Sequence, residues 1–196
     1  MKNNFTLSPI SLTLIPFGIA VNLIMGEIVA LLKIPLYLDS VGTIFISATC
    51  GMYAGVLCGI LSNLLAGILF NSTMIFFIPV SIVIAIFSGF VAEKKSFSSF
   101  PKTVIFGLLQ GVFSAIVAAP IAAFVFGGIT LGGTDFVVLY FRAMGNNILE
   151  SVFYQGLSSD PIDKCLSYII VFFILQRLPS SFLQRLPFFV KHTINE

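Results

Sequence analysis

Charge is what this chain has least of. Among its 196 residues only ten are Lys or Arg and eight are Asp or Glu, so charged side chains make up 9% of the sequence. Water-soluble domains carry about 25%, and so sparse a set cannot cover a water-facing surface of this size. A net charge of +2 with no basic stripe argues against a nucleic-acid partner. Tryptophan is absent, so charges, helix caps and tyrosines must mark any membrane boundary. The three cysteines (Cys50, Cys58 and Cys165) form no CxxC pair, and the single histidine is His192. Those numbers exclude a cysteine-rich zinc site or a disulfide framework, and no metal or cofactor is expected. Enzyme motifs are missing too. There is no HExxH, and the run from Gly89 to Ser96 resembles a P-loop only loosely, because Lys94 stands where the second glycine is needed. Any ATP-driven work is expected from other chains.

What is present is long apolar sequence, with 58% of residues hydrophobic. Residues 10–32 suffice to cross a hydrocarbon core of ~30 Å. Ser8 and Pro9 read as the cap and first residue of that helix, and without a small-residue cleavage site it is expected to be retained. Residues 40–70, interrupted near Gly51-Met52-Tyr53, predict two short helices. Residues 74–92, 103–126 and 162–178 predict three more spans, with a polar link at 93–102 and a glycine-rich loop at 127–133. The stretch 135–157 is helical in pattern but carries Arg142, Asn146, Asn147 and Glu150, and reads as a surface or partly inserted outer helix.

The expectation is an all-α membrane protein forming one integral domain over residues 1–196. It has six transmembrane helices and an extra outer helix between spans five and six. Charge supports the count. With both termini cytoplasmic, Lys2, Lys94, Lys95, Lys102, Arg177, Arg185 and Lys191 fall inside, against Lys33, Arg142 and Lys164 outside. The acids lean the other way: Asp39, Asp135, Glu150, Asp160 and Asp163 lie outside, Glu27 in the outer half of span one, and Glu93 and Glu196 inside.

Small residues recur at every fourth position in several spans, as in Gly51, Gly55, Gly59, Asn63 and Gly67, or Gly107, Gly111, Ala115 and Ala119. That spacing lines one helix face and permits close backbone approach, either within the bundle or against a partner. Asn63 at membrane depth must be hydrogen-bonded, to a neighbouring helix or to a ligand. Arg142, Asn146, Glu150 and Tyr154 share one face if their helix is continuous, a set suited to a small polar heterocycle or simply to water. Asp160-Pro161 reads as the start of span six, with Asp163 in its first turn and Lys164 free to pair locally or reach a ligand. Asp39-Ser40 and Asn71-Ser72-Thr73 read as further caps, with ligand contact by Tyr37, Asp39 or Asn71 also open.

Several segments together resemble the substrate-binding S components of energy-coupling factor (ECF) vitamin transporters. They are Leu36-Tyr37-Leu38-Asp39-Ser40-Val41-Gly42-Thr43, Gly51-Met52-Tyr53-Ala54-Gly55, Leu61-Ser62-Asn63, the run from Ala119 to Gly128, and Ser159-Asp160-Pro161-Ile162-Asp163-Lys164. The resemblance covers most of the chain. It implies six helices, a pocket near the outer face, a multi-pass place in the cell membrane, and partnership with a scaffold membrane subunit and two ATPase subunits. Many members dock on the scaffold through an AxxxA motif in span one. Here Pro16 and Ala20 stand at those positions, so docking is assigned to Gly18, Ala20 and Asn22.

The expected function is therefore capture of a water-soluble vitamin or precursor for an ATP-driven importer. The outer acid excess favours a neutral or cationic ligand. The candidate binding set is Tyr37, Asp39, Asn63, Asn71, Arg142, Asn146, Glu150, Tyr154, Asp163 and Lys164. The competing expectation is a stand-alone secondary transporter or channel that uses Glu27 or Glu150 as its coupling carboxylate.

Overall fold

The computed structural model describes residues 8–186 and 188. Lys2, Lys191, His192 and Glu196 lie outside the described residues. Those described form eight α-helices with two short 3-10 turns and no strand. Helix α1 (Pro9–Leu31) starts as its sequence suggests, with Ser8 Oγ accepting from Ser11 N at 3.2 Å and Pro9 in the first turn. Helix α2 (Val41–Cys50) gives way at Gly51, whose φ of 95° favours glycine, to α3 (Met52–Leu69). A 3-10 turn at Ser72–Phe77, headed by the Asn71 side chain, leads into α4 (Ile78–Glu93). Then follow α5 (Phe100–Phe126), α6 (Asp135–Ala143), α7 (Ile148–Arg177) and the short α8 (Ser180–Leu183).

Among the described residues, four segments are long and apolar enough to cross a membrane: Pro9–Leu31, Met52–Leu69, Ser72–Glu93 and Phe100–Phe126. Their polarity is arranged for lipid. Phe17, Ile24, Ile68, Phe113 and Phe124 point outward, whereas Asn22, Ser62, Gln110 and Asp163 are buried. In a bilayer the apolar groups need no burial, while every polar group needs an internal partner.

Helix α2 departs from this pattern. At ten residues it is about 15 Å long, and Val41 through Thr49 are all buried. It packs against α1, α3, α4 and α7. Small residues permit this, since a Cβ on Gly42 would collide with the Gly18 carbonyl of α1. Asn22 then ties three helices together. Its Nδ2 donates to Thr43 Oγ1 at 2.8 Å and Ser62 Oγ at 2.9 Å, and its Oδ1 accepts from Gly42 N at 2.7 Å.

The C-terminal half differs from the sequence expectation. The helix expected over 135–157 breaks after Ala143, where Gly145 adopts φ 94°, and a new helix begins at Ile148. Asn147 and Glu150 build a capping box there, with Glu150 N donating to Asn147 Oδ1 at 2.9 Å and Asn147 N to Glu150 Oε2 at 3.0 Å. From that start α7 runs unbroken through Pro161, so Asp160 caps nothing. Proline withholds the N–H that would reach Leu157 and crowds that carbonyl, and the packing of α5 before and after it holds the helix together. A Cβ on Gly111 would strike Pro161 backbone, one on Gly107 would meet Cys165 Cα at 2.8 Å, and Gly156 lies on Ala115.

The bundle is solid at one end and hollow at the other. Ile15, Ile19, Ile44, Ile84, Val91, Tyr168 and Val171 pack as one core where α1 and α5 begin and α4 and α7 finish. At the opposite end a smaller cluster of Ala119, Ala122, Ala123, Val138 and Val152 flanks a cavity. Gly111→Leu is expected to force α5 from α7 and to destabilise the protein by about 1–3 kcal/mol or more. Thermal unfolding in detergent measures this, and an unchanged midpoint would refute the close α5–α7 crossing.

Candidate functional site

The cavity holds about 300 Å³, at the lower end of the range of small-molecule sites, roughly 300–1,000 Å³. Helices α1, α3, α4, α5 and α7 form its walls. Ala115, Ala118, Ala119 and Ala122 of α5 leave the space open because none reaches across it, and Leu36, Met74, Phe77 and Val80 add apolar surface.

Three connecting segments close the hollow end. The first, residues 32–40, is anchored by a buried carboxylate: Asp163 Oδ1 accepts from Tyr37 N at 2.8 Å and from Leu38 N at 2.7 Å. Leu38 has φ 48°, a strained conformation for leucine that these two bonds help to hold. The second segment carries Asn71, whose Nδ2 donates to the Thr130 carbonyl at 3.1 Å. The third, residues 127–134, is organised by Asp135, which accepts from Thr130 N at 3.2 Å and from Leu131 N at 2.8 Å. Tyr37 joins the first and third, with its hydroxyl 2.9 Å from Thr134 Oγ1 and 3.3 Å from the donating Gln155 Nε2.

Beneath this cover sits the strongest electrostatic feature. Lys164, only 3% exposed, donates to Asp163 Oδ2 at 2.6 Å and to Ser40 Oγ at 2.9 Å, and its ammonium lies 3.5 Å from Asp39 Oδ1. Ser40 thus serves the lysine and makes no side-chain cap to α2. Partial burial raises the carboxyl of Asp39, whose side chain stays 40% exposed; Lys164 opposes this and the Asp163 charge adds to it. Burial likewise pushes the Tyr37 phenol up, and the nearby Asp160 charge adds to it.

Of the residues singled out in the sequence, Tyr37, Asp39, Asn63, Asn71 and Lys164 line the cavity. Asp163 lies just behind the wall, fully buried. Asn63 also bridges α3 and α4, its Nδ2 donating to Ser81 Oγ and, at 3.1 Å, to the Gly59 carbonyl. The structure does not bring Arg142, Asn146, Glu150 and Tyr154 to the cavity. The helix break separates the first two from the last two: Arg142 Nη1 donates to the Asn146 carbonyl at 3.3 Å, Asn146 Nδ2 donates to the Phe141 carbonyl at 3.0 Å, and Tyr154 packs on Phe141. Glu150 is engaged in the capping box at the start of α7. Gly18 and Asn22 point into the bundle and only Ala20 of the docking trio faces outward, because α1 turns its small face to α2.

Sequence reading missed Glu27, Gln155 and Asp160 as wall residues. The i, i+4 spacing of Asp160 and Lys164 was visible, yet the adjacent proline made Asp160 look like a cap. Searches of known families, characterised proteins and solved structures find no match to this chain.

Two predictions come from the Lys164 cluster. Asp163→Ala should cost about 3–5 kcal/mol by leaving a buried ammonium short of its partner, and adding Lys164→Met should recover part of that loss in detergent unfolding. No recovery would deny the pair its clamping role. The second concerns pH. Because the fold disfavours ionised Asp39, its contribution to stability is present below the ordinary carboxylate range and is lost as pH rises through the raised pKa. Asp39→Asn should therefore flatten that part of the stability–pH curve, and an unaltered slope would count against it.

Proposed function

We propose that this chain is the substrate-capture subunit of an ATP-driven importer, an S component of the energy-coupling factor type, taking up a water-soluble vitamin or precursor. The observation that carries this reading is the asymmetry of the bundle. A vitamin-sized cavity with polar groups from several elements lies under the loops of one end, and packed side chains fill the other. Such a molecule can hold a solute but offers it no path through, as a subunit that relies on partners to complete transport requires.

The topology belongs to the same reading. Six spans are α1 to α5 and the later part of α7, while α6 and the start of α7 form the outer element. Both termini are cytoplasmic in the cell membrane. Helix α2 leaves the loop end at Ser40 and finishes beside Phe188, whose N–H donates to the Thr49 carbonyl at 3.3 Å, which supports a reversal of the chain at Gly51. The partners are a scaffold membrane subunit and two ATPases. The outward face of α1, with Ala20 among Leu12, Phe17 and Ile24, is the surface we assign to the scaffold.

Native mass spectrometry of the detergent-purified protein is expected to find a vitamin-sized molecule bound. Ala118→Phe, which fills the cavity, should lose that molecule, whereas Arg142→Ala, outside the cavity, should keep it. In proteoliposomes the chain alone should bind without accumulating solute. Accumulation without ATP or partner chains would instead establish a stand-alone secondary transporter.

A further inference from the structure

The cavity wall is unbalanced in charge. Glu27, Asp39, Asp135 and Asp160 line it, and Lys164 is its sole basic side chain. Two of these four acids are already engaged. Asp135 is held by the backbone of residues 130–131, and Asp39 faces the Lys164 ammonium. Lys164 donates to Asp163 and Ser40 and its ammonium lies 3.5 Å from Asp39. Asp160 lies within the field of the Lys164 ammonium but receives no hydrogen bond from it.

Asp160 stands apart from the buried Asp163 and Lys164, which pair with each other. It is 5% exposed and lines the cavity, yet it accepts no hydrogen bond from the described residues. Its side chain turns toward α5, with Oδ2 3.7 Å from the position of a Cβ on Gly156, beside Ala115. Glycine and alanine there keep the carboxylate accessible from the cavity while offering it no donor. A buried carboxylate in so apolar a setting is costly unless a donor or a positive charge meets it.

We infer that the cavity takes a small organic cation, bearing an ammonium or a protonated ring nitrogen, with Asp160 as the counter-ion that sets the charge of the ligand. This rests on the capture reading above and narrows it. The size and surface of the site argue for an organic cation over a bare metal ion. A metal would need several oxygens converging within about 2.6 Å, and among the described residues no group of three or more His, Cys, Asp or Glu could hold one. The apolar walls instead suit a hydrocarbon or heteroaromatic body, with Leu36, Met74, Phe77 and Val80 beside it.

The test uses the full chain in lipid nanodiscs, incubated with a small-molecule filtrate of yeast extract. Retained compounds are identified by mass spectrometry for wild type and Asp160→Asn. The expected result is a molecule that is cationic at neutral pH, held roughly tenfold or more weakly by Asp160→Asn. A neutral or anionic molecule held by wild type would overturn the charge assignment and leave capture standing. A cation held equally by both proteins would remove Asp160 from the role. Nothing retained would overturn the capture reading, and this inference with it. Should Asp160→Asn fail to fold, competition on the wild-type protein decides the matter. An uncharged isostere of the retained cation should compete roughly tenfold more weakly, and equal competition would overturn the proposal.

Discussion

The buried pair of Asp163 and Lys164 is the constraint on which the hollow end of this bundle depends. Asp163 has two carboxylate oxygens and divides them: one binds the backbone of Tyr37 and Leu38, the other binds Lys164. Through that division the α1–α2 connection, the start of α2 and the middle of α7 become one unit. Neither charge would be tolerated alone at this depth, since an unpaired ion in a low-dielectric interior costs several kcal/mol. The pair therefore specifies an arrangement as much as it stabilises one. Tyr37 is then placed to meet Thr134 and Gln155, and the cavity gains its cover.

Other buried polar side chains obey the same rule by other means. Asn22 satisfies both ends of its amide among α1, α2 and α3, and Asn63 joins α3 to α4. Tyr168, buried in the solid end, lies 3.0 Å from Ser88 Oγ and stacks on Phe97. Between these polar ties the helices approach through glycine and alanine, where dispersion contacts and closely spaced backbones replace the hydrophobic drive that lipid removes. Small residues so do two jobs. At Gly42 and Gly111 they let helices touch, and along α5 from Ala115 to Ala122 they leave room for a ligand.

A site built in this way has a direct bearing on the proposed function. Its walls are rigid where they meet the solid core, and its cover consists of three connecting segments held by side-chain hydrogen bonds. Entry and release of a solute would have to pass through those segments, because the opposite end is packed. The bonds from Asn71 to Thr130 and from Tyr37 to Thr134 tie those segments together.

Composition and period determined the solvent and the secondary structure. So few charges and such long apolar runs point to helices suited to a membrane, and the break at Gly51 and the caps at Ser8 and Asn71 could be read directly, because capping and glycine conformations act over a few residues. Tyr37, Asp39, Asn63, Asn71 and Lys164 could be picked out as polar residues in apolar surroundings. What they face could not. Only tertiary packing decided that α7 would run through Pro161, that Arg142 and Glu150 would part company at the Gly145 break, and that Gly18 and Asn22 would turn inward. Each outcome rests on contacts between residues far apart in sequence: α5 glycines against α7, α1 against α2, Asp163 against the loop before α2. A local signal such as Asp-Pro is ambiguous until those distant partners set its cost.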